Sequence, residues 1–166
     1  IIFKMTGKFS ESIDSYQRAI KINPEYAEAY NNLGVTFKMI GKFNEAIDSY
    51  QRAIKINPEY AEAYNNLGNV YDINEKVDEA ILNYKKAIKI NANFVEAYSN
   101  LGHLLKEIGK VDEARNCENK LLSLKPNDIG YRINTTLSIV PIVNSVVEIH
   151  FYRNKYQKGL EYLKKY

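Results

Sequence analysis

Apolar residues fall along the chain in short groups spaced three and four apart, neither alternating nor gathered into long runs. Tyr30, Leu33, Gly34 and Phe37 stand at i, i+3, i+4 and i+7, which is one face of a helix. Ala46, Ile47, Tyr50, Ala53 and Ile54 form a second such face, and Gly41 with Lys42 makes the turn between the two. Pro24, Pro58 and Pro126 close the second helices, because proline disfavours helical geometry in the residue before it and has no N–H to donate. Ala92 takes the place of proline once, which predicts a less sharp boundary there. The pattern predicts antiparallel helix pairs and an all-α fold.

The pattern then repeats itself. The string from Gly7 to Gly34 recurs from Gly41 to Gly68, 28 residues identical except at Ser10/Asn44 and Ser12/Ala46, at an offset of 34 residues. With Tyr30-x-x-Leu33-Gly34-x-x-Phe37, then Ala46-x-x-x-Tyr50, then Pro58, the unit resembles the tetratricopeptide repeat position by position. That resemblance implies a right-handed solenoid with repeats at 27–60, 61–94 and 95–128. They follow a partial repeat at 1–26, made of the end of a first helix and a second helix.

Gly34, Gly68 and Gly102 fall inside predicted helices, where glycine costs about 1 kcal/mol relative to alanine. Close approach of the partner helix is the expected compensation, with Ala46, Ala53, Ala80 and Ala87 leaving room for Tyr and Phe rings to interdigitate. The aromatics therefore read as core and not as a ligand box. Glu75 stands where Gly41 and Gly109 turn the chain, and Leu105 and Glu118 replace aromatics in the unit 95–128. That unit reads as degenerate, as expected near the end of a stacked array.

After Asp128 the pattern fails, with Thr135, Thr136 and Pro141 where the repeat would place its aromatic-and-glycine face. Ser145-Val146-Val147-Glu148 reads as a capping box. A helix from there to about Lys165 would carry Ile149, Tyr152, Tyr156, Leu160 and Leu163 on one side, so that 129–166 forms a capping or linker segment. The string from Pro141 to Ile149, followed by Arg153, Tyr156, Gly159 and Leu160, also resembles the segment that joins tetratricopeptide repeats to the catalytic domain in bacterial relatives of the O-linked N-acetylglucosaminyltransferases. On that resemblance the chain is the substrate-presenting arm of a larger glycosyltransferase, with the transfer chemistry beyond Tyr166. Ile1 opens the chain partway through a repeat, which reads as a piece of a longer protein.

Composition removes most chemistry from consideration. Cys117 is the lone cysteine, expected to be a packed small residue and not a nucleophile. His103 and His150 are the only histidines, no Cys/His cluster has metal spacing, and no glycine-rich phosphate loop follows a strand, so neither a catalytic site nor a cofactor is expected. The net charge is +3, of which +4 lies from Ile129 onward, leaving the repeats near −1 and without the basic stripe of a nucleic-acid binder. Without a bilayer-length apolar run or a signal peptide at Ile1 to Met5, no membrane association is expected and the reading is cytoplasmic.

What remains is a surface. With Tyr30, Leu33, Gly34 and Phe37 packed inward, Glu28, Asn31, Asn32, Val35, Lys38 and Met39 centre about 150° away on the same helix, a second and exposed stripe. It recurs as Glu62, Asn65, Asn66, Asn69, Asp72 and Ile73, and as Glu96, Ser99, Asn100, His103, Lys106 and Glu107. In the tetratricopeptide family these places line the concave groove that takes an extended peptide or a partner helix. Where the chaperone-binding members clamp a terminal carboxylate with cations, this chain has Asn and Glu, which argues against such a clamp. Asn32, Asn66 and Asn100 form a ladder, a feature of the same glycosyltransferase family. The regular Glu28, Glu62 and Glu96 read as solvated carboxylates carried along by duplication. The expected function is a non-catalytic interaction scaffold, its groove formed by Asn31, Asn32, Asn65, Asn66, Asn69, Asp72, Asn100, His103 and Lys106 and its partner a protein or peptide. Self-association through the truncated first repeat is a further expectation.

Overall fold

A computed structural model describes residues 2–126 together with residues 157 and 161. Among the described residues the chain is helical throughout, with α1 at Ile2–Ile22, α2 at Ala27–Met39, α3 at Phe43–Ile56, α4 at Ala61–Ile73, α5 at Val77–Ile90, α6 at Val95–Glu107 and α7 at Val111–Leu124. The proposed capping helix from Ser145 and the stretch that resembles a glycosyltransferase linker lie outside the described residues.

Three short turns fold α2 onto α3, α4 onto α5 and α6 onto α7, and all three are built alike. After α2 the Gly41 amide donates to the Lys38 carbonyl at 3.1 Å and the Lys42 amide to the Phe37 carbonyl at 2.9 Å, the paired bonds of a Schellman cap. Glu75 and Lys76 repeat these bonds after α4, and Gly109 and Lys110 after α6. Such a cap needs its first residue beyond the helix in left-handed geometry. Gly41 and Gly109 supply it at φ 76° and 77°, and Glu75 is forced into it at φ 57° despite its Cβ.

The long turns between pairs rest on asparagine. Asn57 ends α3 in extended geometry before Pro58, and its side-chain oxygen accepts the Glu59 amide at 3.1 Å. Asn91 does the same after α5, at φ −122° and ψ 95°, with the Asn93 amide at 3.1 Å. The boundary at Ala92 is therefore as sharp as the one at Pro58, contrary to the expectation from the missing proline, because the asparagine turn stops the helix in both. At the N-terminal side, where the sequence reads as the end of one helix followed by a second, Ile2–Ile22 is one continuous helix.

Within each pair the helices come close where the glycines are. A Cβ placed on Gly34 would lie 2.7 Å from Tyr50 Cε1, and one on Gly68 would lie 2.7 Å from Tyr84 Cε1. The rings fill the space that the missing side chains leave, and both tyrosines are fully buried. Ala46, Tyr50, Leu67 and Val70 make one core cluster, with Val35, Phe37 and Phe43 against it. Ala80, Tyr84, Leu101, Leu104, Leu105 and Cys117 belong to the next. Each helix packs on its sequence neighbours, and α2 also reaches α4 as α4 reaches α6, whereas α3 and α5, and α5 and α7, stay apart among the described residues. A stack that is close on one side and open on the other is curved, with α2, α4 and α6 on the inner face.

Candidate functional site

The inner face carries the residues singled out from the sequence, but it does not leave them all free. Asn31 and Asn65 are buried, each 6% exposed, where the helical wheel predicts exposure. The wheel considers one helix at a time, and here the following repeat covers one edge of the stripe. Asn66 Nδ2 donates to Asn31 Oδ1 at 3.0 Å, and Asn100 Nδ2 donates to Asn65 Oδ1 at 3.0 Å. Asn100 Nδ2 also lies 2.9 Å from Asn69 Oδ1. The ladder thus spends amide donors on joining one repeat to the next, which answers the burial of Asn31 and Asn65. Asn32 alone of the three rungs stays exposed, 3.5 Å from Asn31 Nδ2, while Asn66 and Asn100 are half-buried.

Toward the C-terminal ends of α2, α4 and α6 the three repeats diverge, and their chemistry with them. Asp72 is half-buried and, with Asn69, accepts from the Tyr84 hydroxyl, at 2.8 Å to Asn69 Oδ1 and 3.4 Å to Asp72 Oδ2. Burial first, and the Asp72 charge second, push the Tyr84 hydroxyl well above the ordinary tyrosine range. His103 is exposed with Nε2 3.3 Å from Glu107 Oε1, and Lys106 reaches Glu118 Oε1 at 3.4 Å. Lys38, half-buried, has its ammonium pKa lowered by desolvation, and its side chain takes part in no hydrogen bond or ion pair among the described residues. Met39 and Ile73 are exposed apolar positions beside this row.

At the other end of the inner face, Glu28, Glu62 and Glu96 are all exposed. Tyr60 stands between the first two. Its hydroxyl is raised by burial and then by the Glu28 and Glu62 charges, against a hydrogen bond with Asn31 that lowers it. Sequence reasoning missed Tyr60 as a member of the groove because it precedes α4 in the chain. It also missed the hydroxyls of Tyr50 and Tyr84, whose rings it placed in the core without asking where the oxygens go. Comparing residues one repeat apart carries the signal, since Val35, Asn69 and His103, and likewise Lys38, Asp72 and Lys106, are equivalent positions with unlike side chains.

Cys117 is buried against Gly102, and burial raises its thiol pKa, so it behaves as a packing residue. Among the described residues no group of His, Cys, Asp and Glu is arranged to hold a metal ion, and no helix is long and apolar enough to cross a membrane.

Comparison with known proteins agrees with this architecture. The family model described as TPR repeat matches residues 2–41, 39–72 and 73–109, and that described as tetratricopeptide repeat matches residues 95–128. No curated protein sequence matches the chain. The crystal structure of MamA is similar with a TM-score of 0.71 at 27% identity, over 98% of this chain and 95% of that one. The first TPR of Spaghetti (RPAP3), bound to the HSP90 peptide SRMEEVD, is similar at 0.61 and 25% identity, over 66% of this chain and 86% of that one. YrrB, a TPR protein, has the same fold at 0.66 and 22% identity, over 99% and 79% of the two chains. Matched from its first described helix to beyond its last, and folded as a curved stack of helix pairs, the chain belongs to the tetratricopeptide repeat family.

Proposed function

We propose that the chain is a non-catalytic protein-interaction scaffold that holds extended peptide segments on the inner face of α2, α4 and α6. The observation that carries this reading is the division of labour on that face. Asparagine amides join the repeats into one surface, while Asn32, His103 and Lys106 stand exposed on it. A similar fold, the first TPR of Spaghetti, carries a bound peptide, which supports the same use here. Adjacent packed helices lie about 8 to 10 Å apart and an extended peptide advances about 3.3 Å per residue, so each repeat meets roughly every third residue of a ligand. Side-chain amides that donate to a carbonyl and accept from an N–H suit a peptide backbone whatever its sequence.

The test is fluorescence anisotropy with unstructured peptides selected on the full chain, comparing the parent with the combined variant Asn32→Ala, His103→Ala, Lys106→Ala. These side chains lie outside the core, so the melting temperature is expected to stay within a few degrees of the parent. Binding is expected to weaken by about 0.5 to 1.5 kcal/mol for each hydrogen bond lost. Full affinity in the triple variant would remove these residues from the mechanism, and absence of any peptide binder would overturn the scaffold reading.

A further inference from the structure

Two equivalent repeats treat the same hydroxyl in opposite ways. Tyr50 and Tyr84 sit equivalently, each with Cε1 at 2.7 Å and Cδ1 at 2.8 Å from the Cβ position of its glycine. The Tyr84 hydroxyl reaches the inner-face residues Asn69 and Asp72. One repeat earlier those two places are held by Val35 and Lys38. Val35 offers no acceptor and packs on the Tyr50 cluster, and the Tyr50 hydroxyl is buried with no hydrogen-bond partner. Leaving a buried hydroxyl unsatisfied is destabilising, so its presence at this position calls for a compensating role. Beside it in register stands Lys38, an ammonium partly removed from water and lacking a counter-charge among the described residues.

We infer that Lys38 and Tyr50 form a subsite for a carboxylate side chain, aspartate or glutamate, of the bound peptide; this deepens the scaffold reading and rests on it. The chemistry is a match of donors to acceptors. Lys38 has only N–H donors to offer and the Tyr50 O–H requires an acceptor, and a carboxylate has lone pairs for both. The protein itself displays the satisfied version, since the Asp72 carboxylate occupies the equivalent place beside Tyr84. The ligand carboxylate would supply to the first repeat what Asp72 supplies to the second. One ammonium and one hydroxyl suit a single side-chain carboxylate, not a terminal one held by several cations. Further along the groove, Asp72 disfavours a second acidic residue about three positions away, whereas a basic or neutral one is accepted there.

The experiment uses peptides enriched by display on the full chain, resynthesised with both termini capped and each acidic residue changed in turn to its amide. Anisotropy is expected to show one position where Glu→Gln weakens binding about tenfold, and to show that Lys38→Met abolishes the difference between the two peptides while Lys38→Arg keeps it. Tyr50→Phe is expected to keep the fold, checked by its melting curve, and to bind the Glu peptide more weakly while binding the Gln peptide as the parent does. Equal binding of Glu and Gln peptides at every position overturns the subsite and leaves the scaffold reading standing. A preference that appears only with a free C-terminus overturns the side-chain assignment. Enrichment of no peptide at all overturns both readings.

Discussion

The α2–α3 and α4–α5 hairpins share one backbone plan, and the places where they part company are instructive. Both bury a tyrosine against a helical glycine at the same 2.7 Å approach. Both turn through a Schellman cap and end on an asparagine turn. They differ at the inner-face positions, with Val35 and Lys38 in one and Asn69 and Asp72 in the other, and that difference decides whether the tyrosine hydroxyl behind them is satisfied. The glycine and the tyrosine behind it are the same in both hairpins, while these inner-face positions are not. The α6–α7 hairpin extends the comparison. There Glu118 replaces the tyrosine, Cys117 comes to face the glycine, and the fit relaxes from 2.7 Å to 3.2 Å.

The sharpest way to break the comparison is through the glycines. Gly68→Ala drives a methyl group into a ring that is 1% exposed and has nowhere to swing, an overpacking cost of about 1 to 3 kcal/mol. Gly102→Ala meets Cys117 Cβ at 3.2 Å and the Ala114 carbonyl oxygen at 3.9 Å, and the gain of about 1 kcal/mol in helix propensity offsets the slight crowding. Urea denaturation should therefore lower the midpoint for the first variant and leave the second close to the parent. Equal losses in both would mean that the ring is not what requires the glycine.

These glycines also mark how far the sequence could be read. The period of 34 and the Tyr-Leu-Gly-Phe face are local and repeated, so the helices, their pairing and the close approach at Gly34 and Gly68 were all legible. The burial of Asn31 and Asn65 was not, because it is produced by a neighbouring repeat and a single helical wheel contains no neighbour. Nor was the orphan hydroxyl of Tyr50, which exists only through what Val35 lacks one helix away. The sharp end of α5 at Ala92 was missed for a simpler reason: proline is the conspicuous stop signal, but the asparagine before it makes the turn.

The hydroxyls give the next test, smaller in size and opposite in sign between the two repeats. Tyr84→Phe removes a bond at 2.8 Å to Asn69 and should cost about 0.5 to 1.5 kcal/mol. Tyr50→Phe removes a buried oxygen without a partner and should be neutral or stabilising, by up to about 1 kcal/mol. Paired denaturation curves read the difference directly. If both variants lose the same stability, the Tyr50 hydroxyl has a partner in the folded protein and the contrast between repeats collapses.

The smallest effect belongs to the turns. Glu75 holds the left-handed position at φ 57° that Gly41 and Gly109 hold in the flanking repeats. For a residue with a Cβ that geometry costs roughly 1 to 2 kcal/mol, and glycine escapes most of this while losing more backbone entropy on folding, roughly 0.5 to 1 kcal/mol. The net for Glu75→Gly is a gain of about 0.5 to 1 kcal/mol. The Glu75 side chain is exposed, so little packing is lost in the exchange. The control is Gly41→Glu, which copies the α4–α5 turn into α2–α3 and should lose a similar amount, since a Cβ there has open space and only the backbone geometry is penalised. Thermal melts of the two single variants and the double variant separate the contributions. Opposite shifts that cancel in the double variant are expected, because the turns share no contacts and distant sites add. A loss of stability in Glu75→Gly would show that the glutamate contributes more to its turn than the φ angle takes away.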